Sequence, residues 1–94
     1  MNKLERARLE INRIDKEMAR LFQERMKAVE GVIEYKLENN MEILDSNREK
    51  EVIEKNLLLI EEKKYEKYYL DFIKNMMRIS KEYQKDILIE KKGD

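Results

Sequence analysis

The sequence contains no cysteine, no histidine and no proline, and only two glycines, Gly31 and Gly93. Without cysteine there are no disulfides and no thiolate metal sites. Without histidine, the commonest metal ligand and the commonest general base are missing as well. The scarcity of proline and glycine leaves little to punctuate the chain, so a few long elements are expected and not many short ones. No apolar run approaches the roughly 20 residues needed to span a bilayer. Residues 1–6 lack the apolar core of a signal peptide, so a soluble cytoplasmic protein is expected. Charge of one sign is also lacking, because 21 basic and 21 acidic side chains cancel. Proteins that bind nucleic acid or anionic membranes usually carry a basic excess. Neither partner is expected here, and any anion site must be a local arrangement of cations.

What is present is helix-forming sequence. Charged residues make up 45% of the chain, and Lys, Glu, Leu, Ile, Met and Arg dominate it. Ninety-four residues suit one domain, expected over residues 1–94 with no fused second activity. Apolar residues keep a heptad-like stripe through Leu4, Ala7, Ile11, Ile14, Met18, Leu21, Ala28, Val32 and Tyr35. This predicts a first helix of roughly 34 residues, about 50 Å long at the helical rise. A compact chain of this size is roughly 30 Å across, so its own residues cannot cover that helix along its whole length. A second copy of the chain is the simplest cover.

The polar run Glu38-Asn39-Asn40 ends this helix, and residues 41–45 read as a loop. A second helix is expected from Ser46, with Glu49 completing a Ser-x-x-Glu capping box and Val52, Ile53, Leu57 and Ile60 on the buried face. After a charged turn at residues 61–65, a third helix shows Tyr69, Phe72, Ile73, Met76, Met77, Tyr83 and Ile87 at helical spacing. Residues 90–94 read as a frayed tail. The predicted fold is all-α, with three helices per subunit and a very long first one.

Several polar residues stand where apolar ones belong. Arg25 falls in the first stripe, and a buried arginine is costly unless it meets an anion. Lys36 follows eleven residues later, about 20° round the helix, so the two cations share a face. Long cations also snorkel out of apolar interfaces, which is the ordinary explanation for either residue alone. Ser80 and Gln84 interrupt the third helix one turn apart, where a satisfied polar pair in a core is the ordinary explanation. Asp45, Arg48 and Glu49 cluster at the start of the second helix, where capping and helix-dipole complementarity explain the two acids. Arg8 adds geometry: it lies about 42 Å from Lys36 along one straight helix, too far for one small molecule to touch both. If two first helices pack antiparallel and cross near residues 18–22, Arg8 of one comes beside residues 25–36 of the other. A symmetric dimer then carries two identical sites, each suited to a compact dianion.

Taken together, the segments Arg8-Leu-Glu-Ile-Asn-Arg-Ile-Asp15, Glu24-Arg25-Met26, Glu34-Tyr35-Lys36, Asp45-Ser-Asn-Arg48-Glu49 and Ser80-Lys-Glu-Tyr-Gln84 resemble the all-helical class of chorismate mutases. Each segment is weak by itself, but the resemblance covers nearly the whole chain in order and spacing. It implies an intertwined six-helix homodimer that rearranges chorismate to prephenate in the shikimate pathway toward phenylalanine and tyrosine. That reaction is an intramolecular Claisen rearrangement needing no obligatory proton transfer, nucleophile, metal or cofactor, so a chain without histidine or cysteine is not handicapped. Catalysis comes from holding the substrate in its reactive shape and stabilising charge on the ether oxygen.

By the same resemblance, Arg25 and the other subunit's Arg8 bind the two carboxylates, using the paired hydrogen bonds of the guanidinium fork. Lys36 and Gln84 donate to the ether oxygen. Glu49 accepts from the ring hydroxyl, Arg48 and Asp45 fix that end, and Ser80 lines the carboxylate end. Because Gln84 is an amide, activity should not demand acid conditions. Two other readings stay open. Isochorismate-pyruvate lyase shares the resemblance's fold and a similar cation set. A non-enzymatic helical dimerisation module fits the composition, but leaves Arg25, Ser80 and Gln84 without a reason.

Overall fold

The computed structural model describes residues 1–93. It is all-helical among them: α1 spans Lys3–Glu38, α2 spans Ser46–Leu57 and α3 spans Glu66–Gly93, with a short 3₁₀ turn at Lys63–Tyr65 before α3. The three expected helices are therefore present, the first of them 36 residues long. No helix among the described residues is long and apolar enough to cross a membrane.

The ends of α1 follow from local chemistry. Asn2 starts it, its side-chain oxygen accepting from the Glu5 backbone N–H at 2.9 Å, which satisfies a donor that helix geometry leaves orphaned. Asn40 stops it by taking a left-handed conformation, φ 53°. Asparagine tolerates that region better than most residues. The Met41 N–H then reaches back to the Lys36 carbonyl at 2.8 Å, and the Asn40 N–H to the Leu37 carbonyl at 3.5 Å. These are the two bonds of a Schellman motif. The expected stop at Glu38-Asn39-Asn40 has this physical basis.

Contacts divide the chain into two units, Met1–Val32 and Ile33–Asp94. The first consists of α1 alone over most of its length, and none of its residues is buried. Leu4, Ile11, Ile14, Met18, Leu21 and Val32 of the predicted stripe are between 41% and 55% exposed. Ion pairs line the same helix: Glu10 with Arg13, and Arg20 with both Glu17 and Glu24 at 2.8 Å. The hydrogen bond from Arg13, and then its charge, hold the Glu10 carboxyl below its ordinary range; Arg20 does the same to Glu17.

The second unit holds the core. Ile33 and Ile73 are each 1% exposed. The sequence stripe skipped Ile33 and assigned Val32 and Tyr35 instead, both of which are exposed. Helix α2 packs against α3 through half-buried Val52, Ile53 and Leu57. Its far end is pinned by the Tyr69 hydroxyl donating to Asn56 Oδ1 at 3.4 Å. Ile60 is half-buried as expected, but it lies beyond the end of α2, in the turn. Phe72, expected inside, is 49% exposed and stacks on Tyr69 with ring centres 5.9 Å apart. The expected frayed tail is corrected too, because α3 continues helically to Gly93. Asp94 lies outside the described residues.

Candidate active site

The loop between α1 and α2 is tied to both helices it joins. Lys36, half-buried on the last turn of α1, donates from Nζ to the Ile43 carbonyl at 3.1 Å. This bond ties the helix end to the loop two residues before Asp45. It also satisfies one of the three ammonium donors.

Asp45 caps α2. Its Oδ1 accepts from the Asn47 N–H at 3.1 Å and the Arg48 N–H at 3.2 Å, and its carbonyl accepts from the Glu49 N–H at 3.2 Å. The expected capping box between Ser46 and Glu49 is therefore not formed. Ser46 is the first helical residue and Asp45 the cap. A carboxylate in this position satisfies the orphan N–H groups and complements the positive helix end. This frees the Glu49 side chain for another partner. Arg48 is exposed and pairs with Glu51 one turn on, at 3.4 Å.

Glu49 is half-buried and meets Lys81 of α3, Nζ to Oε1, at 2.7 Å. Lys81 directly follows Ser80, which is 3% exposed, and lies one turn before half-buried Gln84. The α2–α3 packing thus brings Glu49 to Lys81, which stands between Ser80 and Gln84 on α3. Gln84 is half-buried, and no buried side-chain polar atom among the described residues is left unsatisfied, so its carboxamide keeps access to solvent or a ligand. The sequence reading missed Lys81. The signal was available, since residue 81 falls on the row of Met77, Gln84 and Leu88, all half-buried.

Arg8 and Arg25 belong to the first unit. Arg8 is exposed, Arg25 is half-buried, and about 25 Å of helical rise separates them. The chain by itself does not bring these two cations together. What the second unit offers is a cation (Lys36), an amide (Gln84), a buried hydroxyl (Ser80) and the carboxylates of Asp45 and Glu49. Such a set can bind and polarise an anionic guest.

A family model described as chorismate mutase type II matches residues 7–85 of the 94. The chain belongs to this family. The family is the all-helical class that the five sequence segments resemble, and the three-helix structure agrees with it. No curated protein and no solved structure matches the chain.

Proposed function

We propose that this protein is a chorismate mutase that converts chorismate to prephenate in aromatic amino acid biosynthesis, in the cytoplasm. It acts as a single domain spanning residues 1–94 and as an intertwined six-helix homodimer. The observation that carries this reading is the extent of the family match. Residues 7–85 enclose every polar residue assigned to the site, from Arg8 to Gln84.

The chemistry breaks the ether C–O bond and forms a C–C bond within one molecule, so no proton or electron has to be exchanged with the protein. Lys36 and Gln84 act as catalytic donors to the ether oxygen, where charge grows as the bond breaks. A fixed cation contributes most there because its interaction strengthens in the transition state. Arg25 and the partner's Arg8 hold the two carboxylates and restrict the substrate to its reactive shape. Glu49 accepts from the ring hydroxyl, Arg48 and Asp45 shape that end, and Ser80 lines the other. No metal or cofactor has a role in this scheme.

The homodimer is supported by the first unit. Its apolar stripe is 41% to 55% exposed at Leu4, Ile11, Ile14, Met18, Leu21 and Val32. A single helix this long, without a partner for its apolar face, lacks the tertiary packing that supplies most helical stability. A second α1 running antiparallel covers the stripe and delivers Arg8 to the other subunit's site.

The test is direct. Purified protein is supplied with chorismate, and the loss of its absorbance and the product are followed. Prephenate formation without added metal or cofactor is expected. An inert protein, or one that yields salicylate and pyruvate from isochorismate while leaving chorismate untouched, overturns the proposal.

A further inference from the structure

The Lys81–Glu49 contact differs in kind from the ion pairs along the helices. Arg13–Glu10, Arg20–Glu17 and Arg78–Glu82 each lie within one helix, with both side chains more than half exposed. Pairs of that sort contribute little. Lys81 and Glu49 reach from α3 to α2 at 2.7 Å, with side chains 38% and 28% exposed. The contact engages Oε1, and among the described residues Oε2 has no donor. One carboxylate oxygen is thus held in place while the other is open to a donor from outside the chain. Lys81 itself sits between Ser80 and Gln84 on α3, so it ties the α2 acceptor to the segment that carries two other site residues.

We propose that Lys81 is a positioning residue for the reaction: its ammonium fixes the Glu49 carboxylate so that the second oxygen accepts from the substrate's ring hydroxyl. The inference rests on the reading of the site given above. Two physical requirements meet in this one residue. A glutamate has three rotatable side-chain bonds, and an acceptor that wanders among rotamers holds a hydroxyl poorly, so a partner on the facing helix removes that freedom. A carboxylate placed beside a dianion also repels it, and a cation within 3 Å cancels most of that repulsion at the distance of the guest. Lys81 does both by acting through Glu49.

The experiment compares kcat and KM for chorismate among the wild type, Lys81→Met, Lys81→Arg, Glu49→Gln and the Lys81→Met/Glu49→Gln double variant. The ring hydroxyl is held in the ground state and the transition state alike. Lys81→Met should therefore raise KM about tenfold and change kcat less than about threefold. Lys81→Arg should restore most of the loss. In the Glu49→Gln background, Lys81→Met should change kcat/KM less than about twofold, because the two residues act as one unit. If Lys81→Met unfolds, Lys81→Gln carries the same expectations. A Lys81→Met enzyme within about twofold of wild type overturns the inference, as do losses that multiply in the double variant. Those outcomes leave the mutase reading standing. A wild-type protein that does not turn over chorismate removes both.

Discussion

The two units of this chain meet the same physical demand in opposite ways. Residues 33–94 pack α2 against α3 and bury Ile73 of α3, and with it Ile33 on the last turns of α1, to 1% exposure. Residues 1–32 have no fully buried side chain and present an apolar stripe, interrupted by half-buried Arg25, together with surface ion pairs. Both carry residues of the proposed site. The second unit has six of them, each with a describable structural setting. The first has Arg8 and Arg25 on a helix whose apolar face has no partner within its own unit. The difference is one of packing: the second unit has a core of its own, whereas the first keeps its apolar side chains largely exposed.

The largest effects break the site itself. Replacing Lys36 by alanine should lower kcat about 10²–10³-fold, the usual loss when a fixed donor to developing charge is removed. Arg8→Ala should be comparably damaging in kcat/KM. The comparison sharpens when the two are combined: refolding an equal mixture of Arg8→Ala and Lys36→Ala chains should restore about a quarter of wild-type activity, because a mixed dimer holds one site with both residues intact. Recovery near zero would mean that Arg8 serves its own chain, which breaks the proposed division between the units.

Next come the two apolar faces. Ile73→Ala should cost about 2–5 kcal/mol in denaturant unfolding, the range for emptying a filled core position. Ile14, 41% exposed within the chain, should lose less than about 0.5 kcal/mol if that face stays in solvent. If a second copy covers it, Ile14→Ala should cost about 2 kcal/mol, and the unfolding midpoint should rise with protein concentration. A third test concerns the loop. Asp45→Ala removes the acceptor for two backbone N–H groups of α2, and it should cost about 1 kcal/mol, read as a lower midpoint.

The smallest effect belongs to the ion pairs of the first unit. Glu10 and Glu17 have carboxyls held below the ordinary 4.5 by hydrogen bonds from Arg13 and Arg20. A depressed folded value means that the contribution is fully present above pH 4.5 and is lost as pH falls through the lower folded values. The Arg13→Ala/Arg20→Ala variant should therefore be slightly less stable than wild type at pH 7, with the gap closing in acid. An unchanged gap at both pH values would assign the arginines a packing role instead.

Much of this was legible in the sequence. The number of helices, the stop at Asn39-Asn40 and the start near Ser46 follow from patterns local to a few residues, and such patterns survive any tertiary arrangement. The polar interruptions at Arg25, Lys36, Ser80 and Gln84 were legible for a related reason: a costly residue on an apolar face stands out against the period. Other features were misread because a neighbour decided them. Ser46 and Glu49 have the spacing of a capping box, yet Asp45 offers the helix end a charged acceptor one residue earlier, and Glu49 is drawn to Lys81 instead. Phe72 has the spacing of a core residue, but stacking on Tyr69 leaves it half in solvent. Ile33 lies just off the stripe read for α1 and is among the best buried residues of the chain.

Sequence alone determined the helical class, the length of α1 and the excess of apolar surface along it. Those follow from composition and from a period of 3.6, which each helix carries within itself. Tertiary structure decided which residues meet: that Lys36 leans on the Ile43 carbonyl, that Asp45 rather than Ser46 closes the end of α2, and that Lys81 faces Glu49. Periodicity gives the side of a helix on which a residue lies. Only the packing of one helix against another selects the partner across the gap.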